Sequence, residues 1–95
     1  MGYRTTVEYT FNSLADMQTF NDHRKTLASS GTDDLLRKKT TVQIDTDALT
    51  MTHISEFNSQ EDFDTFRASN QTPIESMNSK IVELGATKQT YVGEF

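Results

Sequence analysis

From Tyr3 to Phe11 the chain alternates, with Tyr3, Thr5, Val7, Tyr9 and Phe11 on one face and Arg4, Thr6, Glu8 and Thr10 on the other. A period of two sustained over this length predicts a half-buried strand. The period then lengthens, as Leu14, Met17, Phe20, Arg24, Leu27 and Ala28 recur at helical spacing. Asn12-Ser13 offers an N-cap, Asp16 stands where a capping box places its acid, and Gly31 is the expected stop.

Two further strands, Leu35 to Ile44 and Leu49 to Phe57, flank the turn residues Asp45-Thr46-Asp47-Ala48. A hairpin loop there sets Ile44 opposite Leu49. The same register sets Val42 against Met51, Thr40 against His53 and Leu36 against Phe57. On the other face it sets Arg37 against Glu56, Thr41 against Thr52 and Gln43 against Thr50. Opposite charges and facing threonines are favourable cross-strand pairs.

Asn58-Ser59-Gln60-Glu61-Asp62 opens the next helix, with Asn58 or Ser59 as cap and Phe63, Phe66 and Arg67 as its inner stripe. That helix is expected to break near Asn70-Gln71 and restart at Thr72-Pro73-Ile74-Glu75, with cap, proline and glutamate in order. Ile74, Met77, Ile81 and Leu84 follow at helical spacing, Gly85 closes the helix, and Thr87 to Phe95 alternates as a last strand. The order β-α-β-β-α(α)-β has a well-known solution. It is a ferredoxin-like α+β sandwich, a four-stranded antiparallel sheet with its helices on one face, in one domain spanning residues 1–95. The face with Val7, Tyr9, Phe11, Val42, Ile44, Met51 and Phe57 packs under the helices. The reverse face, with Arg4, Thr6, Glu8, Arg37, Thr41, Gln43, Thr50, Thr52 and Glu56, stays polar.

Composition narrows the chemistry more than it names it. Leu, Ile, Val and Phe make up 20 of the 95 residues, so the core is modest. With no cysteine, disulfide scaffolds, zinc knuckles and thiol nucleophiles are out. A net charge of −5 argues against nucleic acid, whose backbone is held by Lys and Arg. No apolar run reaches membrane-spanning length, and Met1-Gly2-Tyr3-Arg4-Thr5 lacks the apolar stretch of a signal peptide. A soluble, cytoplasmic protein with no membrane partner is the default expectation. Fifteen threonines suit a strand face that is neither oily nor charged.

The stretch Thr50-Met51-Thr52-His53-Ile54-Ser55-Glu56-Phe57-Asn58-Ser59-Gln60-Glu61-Asp62-Phe63 resembles a strand-to-helix junction of the dimeric α/β-barrel superfamily, especially its antibiotic-biosynthesis-monooxygenase-like domains. Glu56, Phe57 and Ser59 fill the places of an acid, an aromatic and a capping serine, and Thr72-Pro73 begins a second helical piece. The element order matches across the whole chain. The resemblance implies a homodimer whose two sheets face each other to form a barrel. It also implies a pocket between sheet and helices for a small organic ligand. If the protein is an enzyme, the implied chemistry is a monooxygenase-like oxidation with no cofactor. Three departures stand out: Phe57 replaces an expected Trp, Pro73 to Leu84 holds no histidine for the haem-degrading branch, and the polar reverse face would make an unusually wet dimer interface.

His53 is the one catalytic candidate. By parity it lies on the helix-facing side of a central strand, between Met51 and Ser55. There it can act as general base or hold a ligand carbonyl, its ordinary pKa being about 6.5. The plainer alternative is a half-buried ring satisfied by Thr40 or a backbone group. Tyr9 and Tyr91 are expected on the same side of neighbouring strands, to lend hydroxyls to a ligand pocket or simply to pack. Phe57 completes the ligand-binding candidates.

The remaining polar residues read as structural. His23, beside Arg24 and Lys25, is a surface residue with nothing nearby in sequence to orient it. Asp45 and Asp47 are turn residues, because a calcium loop needs more oxygens. Asp33-Asp34 and Glu61-Asp62-Asp64 are helix-terminal or solvated acids, and Arg37-Lys38-Lys39 guards an edge strand. No metal set is present. RNA-recognition domains, metallochaperones and acylphosphatases share the element order, but their basic aromatic strand, cysteine pair and glycine-rich loop are missing. Two functional readings follow. One is a dimeric-barrel binder or enzyme with His53, Tyr9, Tyr91 and Phe57 at its pocket; the other is a non-enzymatic protein-interaction or regulatory module.

Overall fold

The computed structural model describes residues 2–28 and 37–95, with the side chains of all of these but Ala28 and Lys38. Alternation produces β1 (Tyr3–Thr10), and the lengthened period produces α1 (Leu14–Ala28). There follow β2 (Arg37–Asp45), β3 (Thr50–Phe57), α2 (Gln60–Ser69), α3 (Gln71–Glu83) and β4 (Thr87–Glu94). The strands form one sheet in the order β2-β3-β1-β4, with every neighbouring pair antiparallel. This is the expected ferredoxin-like α+β fold. Gly31, Asp33, Asp34, Leu35 and Leu36 lie outside the described residues.

Local chemistry sets the element ends. At α1 the hydroxyl of Ser13 accepts the Asp16 N–H at 3.1 Å, while Asn12 donates its amide to the Gly85 carbonyl at 3.0 Å. Ser13 is thus the cap, and Asn12 ties the end of α3 to the end of β1. Ser59 caps α2 by accepting the Asp62 N–H at 3.1 Å. Gly85 sits at φ 67°, where only glycine is free of steric cost, and the Ala86 N–H reaches the Ile81 carbonyl at 3.0 Å in a Schellman ending.

The restart of the helix differs from expectation. Asn70, 4% exposed, both ends α2 and begins α3. Its backbone N–H and side-chain amide both donate to the Phe66 carbonyl, at 3.0 and 2.9 Å, and its own carbonyl accepts the Ile74 N–H. Pro73 therefore falls at the third helical position rather than the first. It is tolerated there because the first four N–H groups of a helix have no partner inside it.

The hairpin register also differs, by two residues on β3. Ile44 faces Met51, Val42 faces His53, Gln43 faces Thr52 and Thr40 faces Ser55. The carboxylate of Asp45 closes the turn by accepting the N–H groups of Asp47 and Ala48, at 3.0 and 3.1 Å. Leu49 then takes a left-handed φ of 58°, and its carbonyl accepts the Phe11 N–H at 2.9 Å. Leu49 thus belongs to the turn, and β3 begins pairing with β2 at Thr50, opposite Asp45. A shift of two preserves the faces and changes every partner.

An irregularity between Arg37 and Lys39 has a larger effect. Arg37 faces Phe57 and turns to the helix side instead of the reverse side, leaving Lys39 opposite Glu56. Glu56 pairs instead with Arg4, at 2.8 Å on the reverse face.

Tyr9, Phe11, Met17, Phe20, Met51 and Ile81 form the core, closed by α1 and α3. Phe20 and Met51 are wholly buried, and the Tyr9 and Phe20 rings meet at 4.7 Å. Burying side chains of this size contributes roughly 1.5–3 kcal/mol each. Ile44, an expected core residue, shares the helix-facing side but is 49% exposed near the end of the edge strand.

Candidate functional site

Beyond the core the helices lift away from the sheet and leave two adjoining hollows. The larger, about 510 Å³, lies between β1, β3 and β4 below and α2 and α3 above, lined by aromatics such as Tyr3, Tyr9, Phe57, Phe63 and Phe66. The smaller, about 200 Å³, lies toward β2 and α1, with Arg24, Arg37, Thr40 and Asn70 in its walls. His53, Ser55, Phe66, Ile74 and Met77 line both. The larger volume falls within the roughly 300–1,000 Å³ of small-molecule sites.

His53 is the centre of this arrangement. The β3 pleat points it at the helices, between Val7 of β1 and Val42 of β2, with the Tyr9 ring edge-on at 5.2 Å. Valine side chains can neither accept nor donate a hydrogen bond, and Thr40, the partner of the plainer alternative, sits opposite Ser55 instead. The His53 Nε2 is accordingly buried without a hydrogen-bond partner among the described residues. Burial, with the charges of Arg24 and Arg37 adding to it, pushes the ring's pKa down to about 4. At neutral pH the ring is therefore uncharged, with one nitrogen to donate and one to accept. Such an orphaned buried group calls for an explanation, and a functional role is one of the standard ones.

The other candidates divide. Tyr9 is where it was expected, 3% exposed beside His53, and burial pushes its hydroxyl up to about 12, with Arg24 pulling slightly the other way. Its role is core as much as wall, since Phe11 and Phe20 flank it. Phe57 is 2% exposed and packs its ring on Phe63 and Phe66, each at 5.3 Å.

Tyr91 does not join them. It pairs with Thr6, which belongs to the reverse face, so its ring lies there too, 58% exposed and donating to Gln89 at 2.7 Å. From β4 the helix-facing residues are Lys88, Thr90 and Val92, opposite Tyr9, Val7 and Thr5. The side to which Tyr91 belongs follows from pairing with β1, and one residue of offset moves a side chain to the opposite face.

Other residues correct the sequence reading more mildly. His23 is oriented after all, its Nε2 lying 3.0 Å from the Ser76 hydroxyl of α3, a partner 53 positions away. Asp45 and Asp47 are turn residues, as expected. Among the described residues no group of three or more His, Asp or Glu is placed to hold a metal. No helix among them is long and apolar enough to cross a membrane.

Arg24 and Arg37 were missed as site residues, and only one gave a signal. Arg24 interrupts the apolar stripe of α1, which an arginine does at a price unless something polar meets it. Its guanidinium is held at 2.8 Å by the Asn21 side chain one turn back. Arg37 enters only through the β2 irregularity and lies with its guanidinium 5.1 Å above the Phe66 ring.

No family model and no curated relative matches the chain. Solved structures do. A dimeric ferredoxin-like protein from an uncultured marine organism superposes with a TM-score of 0.77 at 12% identity, over 97% of this chain and 92% of that one. SnoaB, a cofactor-independent oxygenase from Streptomyces nogalater, gives 0.68 at 10% identity, over 99% and 92%. A candidate antibiotic biosynthesis monooxygenase from Deinococcus radiodurans gives 0.76 at 10% identity, over 100% and 92%. The chain has the fold of these dimeric ferredoxin-like and monooxygenase-like proteins. At such identities the likeness is one of fold, and the chemistry of this ferredoxin-like chain rests on its own residues.

Proposed function

We propose that the protein is a homodimer that holds a small organic molecule in the hollows beneath α2 and α3, with neutral His53 as its polar anchor. The observation that carries this reading is the buried Nε2 of His53, unpartnered among the described residues, beside aromatic-lined space. A ligand carbonyl or hydroxyl meeting that ring would complete the group left unsatisfied. Tyr9 and Phe57 supply wall rather than chemistry. Oxidation without a cofactor, the activity given for SnoaB, is the enzymatic form of the same reading.

Self-association is supported by the dimeric neighbour and by the reverse face itself. That face presents a threonine-lined surface flanked by Tyr91 and Phe95, each more than half exposed. Light scattering coupled to size exclusion, with native mass spectrometry on the same sample, tests both parts. A dimer carrying organic mass, lost in His53→Leu, is the expected outcome. A monomer with nothing bound would sink the proposal and favour the interaction module.

A further inference from the structure

The two edges of the sheet are built differently. β2 is interrupted between Arg37 and Lys39 and carries three basic residues in a row, devices that keep an edge from pairing with other chains. β4 has neither. It pairs with β1 from Thr87 to Glu94 without a shift, and every one of its residues is exposed. Residues 29–36 lead from Ala28 into β2, the opposite edge. We propose that β4 pairs antiparallel with the β4 of a second copy of this chain, in a register centred on Tyr91. The copies then lie side by side in one continuous sheet, where the resemblance implied face to face. This rests on the homodimer reading above and names a different contact for it.

Backbone geometry limits the registers. Just beyond the ends of β1 and β4, Gly2 and Phe95 exchange both N–H···O bonds, each at 3.0 Å, and so form a bonded pair. Bonded and non-bonded pairs alternate along an antiparallel ladder. Odd-numbered residues of β4 therefore turn their backbone groups to β1, and Lys88, Thr90, Val92 and Glu94 turn theirs outward. Among the described residues no strand lies beyond β4 to meet them. A second β4 must then pair even residue with even residue. Centred on Tyr91, the ladder sets Lys88 against the partner's Glu94 and Thr90 against the partner's Val92. Centred on Thr90 it sets Lys88 against the partner's Val92, and centred on Val92 it leaves Lys88 opposite no residue of β4.

The side chains favour the same register. Lys88 and Glu94 both stand on the helix-facing side, opposite Tyr9 and Tyr3, and neither has an ion-pair partner among the described residues. Lys88 donates to the neutral Asn78 side chain at 2.7 Å, and burial with Arg67 nearby holds its ammonium below the usual range. A carboxylate from the second copy relieves that, and the symmetry supplies the contact at both ends of the ladder. On the reverse face Tyr91 meets the partner's Tyr91 in a non-bonded pair, where side chains lie closest. Gly93, at which an added Cβ would meet no described atom within 4 Å, comes within diagonal reach of that ring.

Sedimentation equilibrium of the full chain at one fixed salt concentration reads the dimer Kd. Lys88→Glu and Glu94→Lys should each raise it about tenfold, because each sets like charges opposite one another at both ends of the ladder. The double variant Lys88→Glu/Glu94→Lys swaps the charges and should return Kd to the wild-type value. The chain has no cysteine, so Tyr91→Cys gives one thiol per copy. Mild oxidation should join two such copies through a disulfide, while Gly93→Cys, facing the partner's Gln89, should stay unjoined. Circular dichroism checks that each variant is folded. A dimer indifferent to the charge reversals, or a double variant as weak as the singles, would overturn the edge pairing and leave the homodimer reading to the reverse face. A disulfide that forms at Gly93→Cys and not at Tyr91→Cys would overturn the register. A chain that stays monomeric at every concentration would overturn both readings.

Discussion

The helix-facing side of the sheet has two ends that differ in kind. At one, Met51 of β3 meets Tyr9, Phe11, Met17, Phe20 and Ile81, and Phe20 and Met51 are wholly buried. At the other, two and four residues along the same strand, His53 and Ser55 face hollows that α2 and α3 only roof. The same pleat and the same sheet serve both. What changes is the cover: α1 and α3 press on the first end, while the second is bridged by helices that part at the buried Asn70. Stability is concentrated where large side chains interlock, which leaves the rest of the face free to carry polar groups that a close-packed core would reject.

The largest effect should come from emptying the packed end. Phe20→Ala is expected to cost about 3–5 kcal/mol, whereas Phe63→Ala at the roofed end should cost less than half as much. Paired urea unfolding curves check this, and equal losses would erase the distinction between the ends.

Acid should act mainly on the open end. The folded pKa of His53, about 4, lies below the ordinary 6.5, so protons bind the unfolded chain first. The ring's contribution is intact above pH 6.5 and is lost as pH falls from there toward 4. The loss is roughly 3 kcal/mol at most. Subtracting the same pH series for His53→Leu isolates it from the carboxylates. Above pH 7 that variant should be as stable as wild type or about 1 kcal/mol more so, since it removes an unpartnered buried polar atom. A loss of several kcal/mol would mean that the ring is satisfied and structural. The smallest effect belongs to the reverse face, where Arg4→Ala breaks an exposed pair with Glu56 and should cost less than about 1 kcal/mol.

Period and parity made most of the fold legible. Alternation in β1, the cap at Ser59 and the stop at Gly85 are local signals, and the structure keeps them. Errors arose where a distant partner decides. The hairpin register turns on a Leu49 carbonyl bonded to Phe11, and the restart of α3 turns on Asn70 gripping the Phe66 carbonyl. His53 was legible as an inward-facing polar residue, because β3 is regular and its neighbour in phase is Met51. Tyr91 was misplaced because its side follows from pairing with Thr6, which no pattern inside β4 specifies. Arg37 was misplaced because a single irregular residue inverts parity without any glycine or proline to announce it.

The most direct measurement is the ring nitrogen NMR of the chain's two histidines, followed against pH and then against added 2-naphthol, an aromatic hydroxyl probe. Burial at the open end is expected to hold the free His53 ring near 4, below its ordinary range. At pH 7 its ring signals, and not those of His23, should move as the naphthol is added. A His53 ring that titrates in the ordinary range and ignores the naphthol would contradict a ligand site at the open end.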